Sequence, residues 1–162
     1  MKRNKIKTIN ISWSKFGKLV KKLGDQIEEW INIKPHYKNI YAVPRGGYPI
    51  SVYLSHRFNL PIITNSNKIS RSTLIVDDIN DTGETLRSII EFKPHLSDIA
   101  TLYSTTWTSI FSDFNVKTKH NQNEWIVFPW ENEIKEVKKH SKDNTFSKQP
   151  KNKRKKSSTK SK

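Results

Sequence analysis

Residues 72–76, Ser-Thr-Leu-Ile-Val, form an apolar, β-branched run that stops on two adjacent carboxylates, Asp77 and Asp78. A run this short and this apolar reads as a buried strand. The segments around it alternate between two periods. Trp13, Phe16, Val20, Leu23, Ile27 and Trp30 recur at three and four positions, one face of a helix, with Lys15, Lys18, Lys22, Asp25 and Glu29 opposite. Ser12 or Ser14 caps that helix and Pro35 ends it. Residues 39–43 form a short apolar run, then a Pro-Arg-Gly-Gly turn, and a second amphipathic helix is expected over 48–58 with Pro49 in its first turn. Further strands are expected at 61–64, 72–76, 99–103 and 125–128, and a helix at 84–92, stopped by Pro94. Strand and helix in alternation predict an α/β domain built on a mostly parallel sheet flanked by helices.

Charge sorts to the chain ends. The protein has 162 residues and a formal charge of +15. Residues 138–162 hold eleven Lys or Arg and one acid, and residues 1–7 hold four basic residues. The stretch 8–137, with fifteen basic and fourteen acidic residues, is nearly neutral. The expected organisation is therefore a basic N-terminal segment at 1–10, one domain at 11–137 and a disordered Lys-rich tail at 138–162. The tail is a solvated end or an arm that contacts nucleic acid. With no cysteine, disulfides, thiol catalysis and Cys-based zinc sites are excluded. The five histidines are scattered singly, and no apolar run approaches the length of a membrane span. A cytoplasmic protein is expected.

Residues 74–86 (LIVDDINDTGETL) carry the chemistry. A buried strand delivers Asp77 and Asp78, then Asp81, and a turn of small residues opens a helix. Thr82, Gly83, Glu84 and Thr85 present backbone N–H groups and two hydroxyls, a setting that suits a phosphate. Carboxylates beside a phosphate cradle suit a ligand that also brings vicinal hydroxyls or a divalent cation. A phosphorylated sugar supplies the hydroxyls and the phosphate. The plainer alternative is a capped helix after an acidic turn.

This segment resembles the 5-phosphoribosyl-1-pyrophosphate (PRPP) binding motif of type I phosphoribosyltransferases. Residues 42–47 (AVPRGG) and 125–131 (WIVFPWE) are similar to the pyrophosphate loop and purine-contacting stretch of the compact xanthine-guanine and hypoxanthine members, as is Ser12-Trp13 at the first helix. The resemblance implies an Mg²⁺-dependent enzyme that transfers the phosphoribosyl group of PRPP to a purine-like base and releases pyrophosphate. It implies that Asp77 and Asp78 hold the ribose hydroxyls, with Mg²⁺ reached indirectly through those hydroxyls and water. It further implies that Thr82, Gly83, Glu84 and Thr85 hold the 5′-phosphate, and that Asp81 acts on the base as general base or hydrogen-bond partner. Arg45, Gly46 and Gly47 would donate to pyrophosphate, with a cis peptide between Pro44 and Arg45. Trp125 would stack on the base and the Ile126 carbonyl would accept from its edge. Relatives of this kind are commonly dimers or tetramers, so self-association is expected.

Two departures qualify the resemblance. The family's long flexible loop precedes the Asp-Asp strand, and here residues 65–72 (NSNKISRS) are too few for a two-stranded flap. A reduced hood with no long flexible loop is expected. The lysine with which the family reads the purine 6-oxo group is replaced by Thr105, or Thr106, whose hydroxyl can still donate to the base without the charge, while Lys117 and Lys119 lie too far along the chain to substitute without a rearrangement. A non-catalytic sensor of PRPP or a nucleotide, using the tail on nucleic acid, is the competing expectation. A phosphatase or kinase is weaker, since no Gly-Lys-Ser/Thr phosphate loop is present.

Overall fold

The computed structural model describes residues 6–33, 36–91 and 97–131. In chain order the elements are β1 (Lys7–Asn10), α1 (Trp13–Ile33), β2 (Asn39–Ala42), α2 (Gly47–Phe58), β3 (Ile62–Ile63), a 3₁₀ turn at Ser66–Lys68, β4 (Thr73–Asn80), α3 (Glu84–Ile90), β5 (Ile99–Thr105), β6 (Phe114–Lys119) and β7 (Glu124–Val127). Five strands form one sheet in the order β3-β2-β4-β5-β6, and β1 pairs separately with β7. Every one of these pairings is parallel. The expected α/β architecture is what the chain forms.

The strand order creates the crevice. From β2 the chain crosses through α2 to β3 on one side, then returns to β4 on the other side of β2. The β2–β4 boundary is therefore a switch point, where the loops leaving the two strands part and open a cleft beyond their carboxyl ends. Burial makes that position rigid. Leu74, Ile75 and Val76 in β4 are wholly buried, as are Ile40 and Ala42 in β2 and Leu102 in β5. Each large aliphatic side chain so placed stabilises the sheet by about 1.5–3 kcal/mol.

Several elements differ from the sequence expectation. On α1, Ser12 is the cap, since its Oγ accepts from the Lys15 N–H at 3.2 Å. The buried face is Phe16, Leu19, Val20, Leu23 and Ile27. Trp13 and Trp30, expected on that face, sit at its ends and are partly exposed, packing edge-on against Phe16 and Phe114. β4 does not stop at Val76. It continues to Asn80, so Asp77 and Asp78 belong to the strand and not to a loop. Pairing with β5 persists through Ile79↔Tyr103 and Asn80↔Ser104, which holds the backbone extended past the last apolar residue.

β1 and β6 were not expected as strands. Residues 7–10 were assigned to a segment ahead of the domain, yet they form a ladder with β7, Lys7↔Glu124 to Asn10↔Val127. A four-residue strand needs such a partner, and this one is distant in sequence. β6 is the edge strand of the main sheet, and its polar wording (FNVKTK) gives no apolar run. Two compact units are distinguished, Met1–Pro129 and Trp130–Lys162. In the second, only Trp130 and Glu131 are described, so the expected tail at 138–162 lies outside the described residues, as do Pro35, Phe92 and Pro94. Among the described residues no helix is long and apolar enough to cross a membrane.

Candidate active site

A crevice of about 340 Å³ opens at the β2–β4 switch point. Its floor is the end of β4. Asp77 is buried, and its Oδ1 accepts from the Asp78 N–H at 2.9 Å. Burial, and after it the neighbouring Asp78 carboxylate, pushes the Asp77 carboxyl far above the usual carboxylate range, to about 8. Asp78 leans the other way, toward the turn after β2. A methyl group at Gly46 would lie 2.3 Å from the Asp78 carboxyl, so only glycine lets that turn lie against the acid. The peptide bond between Pro44 and Arg45 is cis, as the resemblance implies.

The turn after β4 supplies the opposite wall, with Asp81, Thr82, Gly83, Glu84 and Thr85 all on the lining. Gly83 has φ 84°, a left-handed torsion that a side chain resists, and a Cβ there would meet Thr108 Oγ1 and Ser109 Oγ at 2.8 Å. The loop after β5 braces this turn from behind. Ser109 donates twice to the Thr82 carbonyl, from its backbone N–H at 3.1 Å and its hydroxyl at 3.0 Å. Asn80, itself buried, ties into the same loop by donating to the Ile110 carbonyl at 2.6 Å and accepting from Thr108 at 2.8 Å. Trp125, on β7, also lines the crevice and is 58% exposed, so its ring offers a broad apolar face. An indole face left open beside carboxylates and amides is suited to stacking on a planar ligand.

Not every expected residue reaches this lining. Gly46 does, whereas Arg45 is exposed on the same turn and Gly47 is buried as the first residue of α2. Ile126 is buried in the β1–β7 ladder, opposite Ile9. Thr105 is buried at the end of β5, and its hydroxyl donates to the Asp81 main-chain carbonyl. It therefore braces the turn from outside the lining.

One residue excluded by chain distance is close to the site. β6 runs parallel to β5 with Thr105 opposite Lys119. Lys119 is buried, its Nζ lies 3.7 Å from Asp81 Oδ2, and it stands 5.3 Å from the centre of the Trp107 ring. Parallel pairing brings the two strand ends side by side, which places Lys119 beside Asp81 though not on the crevice lining. Lys117, exposed on the same strand, stays away. Pro44, expected in the cis peptide, lines the crevice as well, and so do Ile79, Asn80 and Leu86, to which the sequence assigns no individual role. Their signal was only their place beside the acidic pair.

No family model matches the chain. Individual relatives do. The chain is 26% identical over 151 residues to a xanthine-guanine phosphoribosyltransferase of Nitratidesulfovibrio vulgaris, covering 81% of this chain and 89% of the relative. Its fold matches a Helicobacter pylori xanthine-guanine-hypoxanthine phosphoribosyltransferase at TM-score 0.67 and 25% identity, over 82% of this chain and 99% of the other. In sequence and fold the chain is similar to the purine members of the type I phosphoribosyltransferases. A purine phosphoribosyltransferase from Pyrococcus horikoshii is a further neighbour, at TM-score 0.62 and 27% identity over 76% of this chain and 94% of the other. Between β3 and β4 the chain makes only the 3₁₀ turn Ser66–Lys68, capped by the Asn65 side chain accepting from Asn67.

Proposed function

We propose that the chain transfers the 5-phosphoribosyl group of PRPP to a purine-like base, of the xanthine, guanine or hypoxanthine kind, and releases pyrophosphate. The observation that supports this most is a single crevice shared by the Asp77–Asp78 pair, the glycine turn after β2, the 82–85 turn and the open Trp125 ring. Those four features match, in order, a diol, a leaving diphosphate, a terminal phosphate and a planar base.

In this reading the backbone amides of 82–85 hold the 5′-phosphate and Asp77 and Asp78 accept from the ribose hydroxyls. The Gly46 and Gly47 amides and the Arg45 guanidinium, extended from the exposed turn, donate to the pyrophosphate. The bond from C1 to pyrophosphate breaks with its electron pair leaving on oxygen, and a ring nitrogen of the base, stacked on Trp125 with the Ile126 carbonyl at its edge, attacks C1. The proton released by that nitrogen goes to the Asp81 carboxylate, or stays shared with it. Fixed donors aimed at the departing charge lower the barrier.

Mg²⁺ fits this donor set. Among the described residues no group of three or more His, Cys, Asp or Glu side chains is arranged to hold a metal. Magnesium in phosphate sites is held by one or two carboxylates, water and substrate oxygens, which Asp77 and Asp78 can complete through the ribose hydroxyls. When bound, the ion offsets negative charge on the pyrophosphate.

Incubation with PRPP, Mg²⁺ and a panel of purine bases tests the reading, and pyrophosphate release is expected with at least one base. Binding of PRPP with no release from any base would replace the transferase by a binding protein. We extend the proposal to self-association, to a cytoplasmic location and to nucleic-acid contact through 138–162; sedimentation of the full chain tests the first.

A further inference from the structure

We propose that Asn80 and Ser109 are positioning residues for the turn at 82–85. Asn80 anchors the loop after β5, and Ser109, carried by that loop, holds the Thr82 carbonyl back so that the Gly83 N–H faces the crevice. This rests on the reading that residues 82–85 hold a phosphate.

In a trans peptide unit, a carbonyl and the N–H that follows it point to opposite sides of the chain. The one cis bond among the described residues is Pro44–Arg45, so the unit joining Thr82 to Gly83 is trans. Whatever binds the Thr82 carbonyl therefore sets the direction of the Gly83 N–H. Ser109 binds it twice, from its backbone N–H at 3.1 Å and from its hydroxyl at 3.0 Å. Two donors occupy both lone pairs of that oxygen and fix its direction. The Gly83 N–H is left on the opposite side, along the crevice wall, and among the described residues it donates to no main-chain acceptor. One unit earlier, Thr105 holds the Asp81 carbonyl in the same manner.

Ser109 is itself exposed, so its place depends on how the loop around it is fastened. Asn80, 2% exposed within β4, fastens it on both sides. Its Oδ1 accepts from the Thr108 hydroxyl at 2.8 Å, and its Nδ2 donates to the Ile110 carbonyl at 2.6 Å and to Ser112 Oγ at 3.1 Å. Thr101, wholly buried in β5, donates to the same Ser112 oxygen at 3.0 Å. Both donors of the Asn80 amide are spent behind the wall, which leaves none for a ligand. A polar network inside a sheet is costly when half-made, and once satisfied it fixes one geometry. An apolar residue of the same size at 80 would fill the strand but hold neither Thr108 nor Ile110.

The full-length wild-type chain, Ser109→Ala, Ser109→Thr and Asn80→Leu are compared in two measurements. One is calorimetric binding of GMP and guanosine, which differ only in the phosphate; the other is the NMR shift of the Gly83 N–H on addition of ribose 5-phosphate. Ser109→Ala is expected to weaken GMP about twofold to tenfold, the range of one neutral hydrogen bond, and Asn80→Leu about tenfold to a hundredfold, the range of a hydrogen bond to a charged group. Guanosine binding should change little, the Gly83 shift should shrink in both variants, and Ser109→Thr should restore both readouts. A loss shared equally by GMP and guanosine, or unchanged GMP affinity, would mean that the loop only supports the fold and would overturn the proposal. Should Asn80→Leu fail to fold, Ser109→Ala decides, since Ser109 is exposed. If the phosphates bind as expected but no base yields pyrophosphate, the transferase reading fails and the proposal stands. A wild-type chain that binds neither GMP nor ribose 5-phosphate overturns both.

Discussion

Asp77 and Asp81 are four positions apart and sit in different surroundings. Asp77 is buried within β4, whereas Asp81 is partly open on the turn beyond it. Asp81→Asn should lower kcat by about a hundredfold to ten-thousandfold, the range of a lost general base, with PRPP affinity little changed. Asp77→Asn should weaken both, and steady-state kinetics with PRPP titrations separate the two outcomes. Asp77 also makes a pH prediction. Because burial raises its folded pKa from 3.8 to about 8, the neutral acid is favoured in the fold. The unfolded chain ionises first as pH rises, so the folded state binds more protons in between. Stability of the protein without ligand is full below the ordinary carboxylate range and falls as pH climbs toward 8. Thermal unfolding followed across that window should show the decline, and Asp77→Asn should flatten it.

Among the elements, β4 and the turn after it do most of the positioning. A buried apolar run carries the acids toward the carboxyl end of the central strand, and continued pairing with β5 keeps them extended there. The turn is then held in a left-handed torsion at Gly83 and backed by Thr108 and Ser109. Gly83→Ala is expected to cost about 1–3 kcal/mol of stability, from the torsion and from contact with those hydroxyls. It should also weaken PRPP binding, since the 82–85 amides would turn away; denaturant unfolding and calorimetry read the two effects. Elements with a strong internal period were legible from sequence: α1 by its 3–4 spacing, β2 and β4 by their apolar runs. β6 was not, because an edge strand buries only one face, and its wording, Phe-Asn-Val-Lys-Thr-Lys, lacks an apolar run.

For the molecule as a whole, charge and fold separate along the chain. The stretch 147–162 has no apolar residue with which to build a core, and the basic excess gathers at that end. Removing 138–162 should leave the thermal midpoint unchanged, and any nucleic-acid binding of the full chain should be lost with it and should fall steeply with salt. What the sequence determined alone is local: the alternation of strand and helix, the buried apolar run that leads into the Asp-Asp pair, and the turn of small residues that opens a helix after it. Each follows from side-chain shape and polarity over a few neighbouring positions. Only the tertiary structure decided that Lys7–Asn10 is a strand, that Thr105 turns its hydroxyl to the Asp81 carbonyl, and that Lys119 lies beside Asp81. Those facts depend on which strand pairs with which and in what register, and pairing is a free-energy choice made by the whole sheet rather than by any one segment.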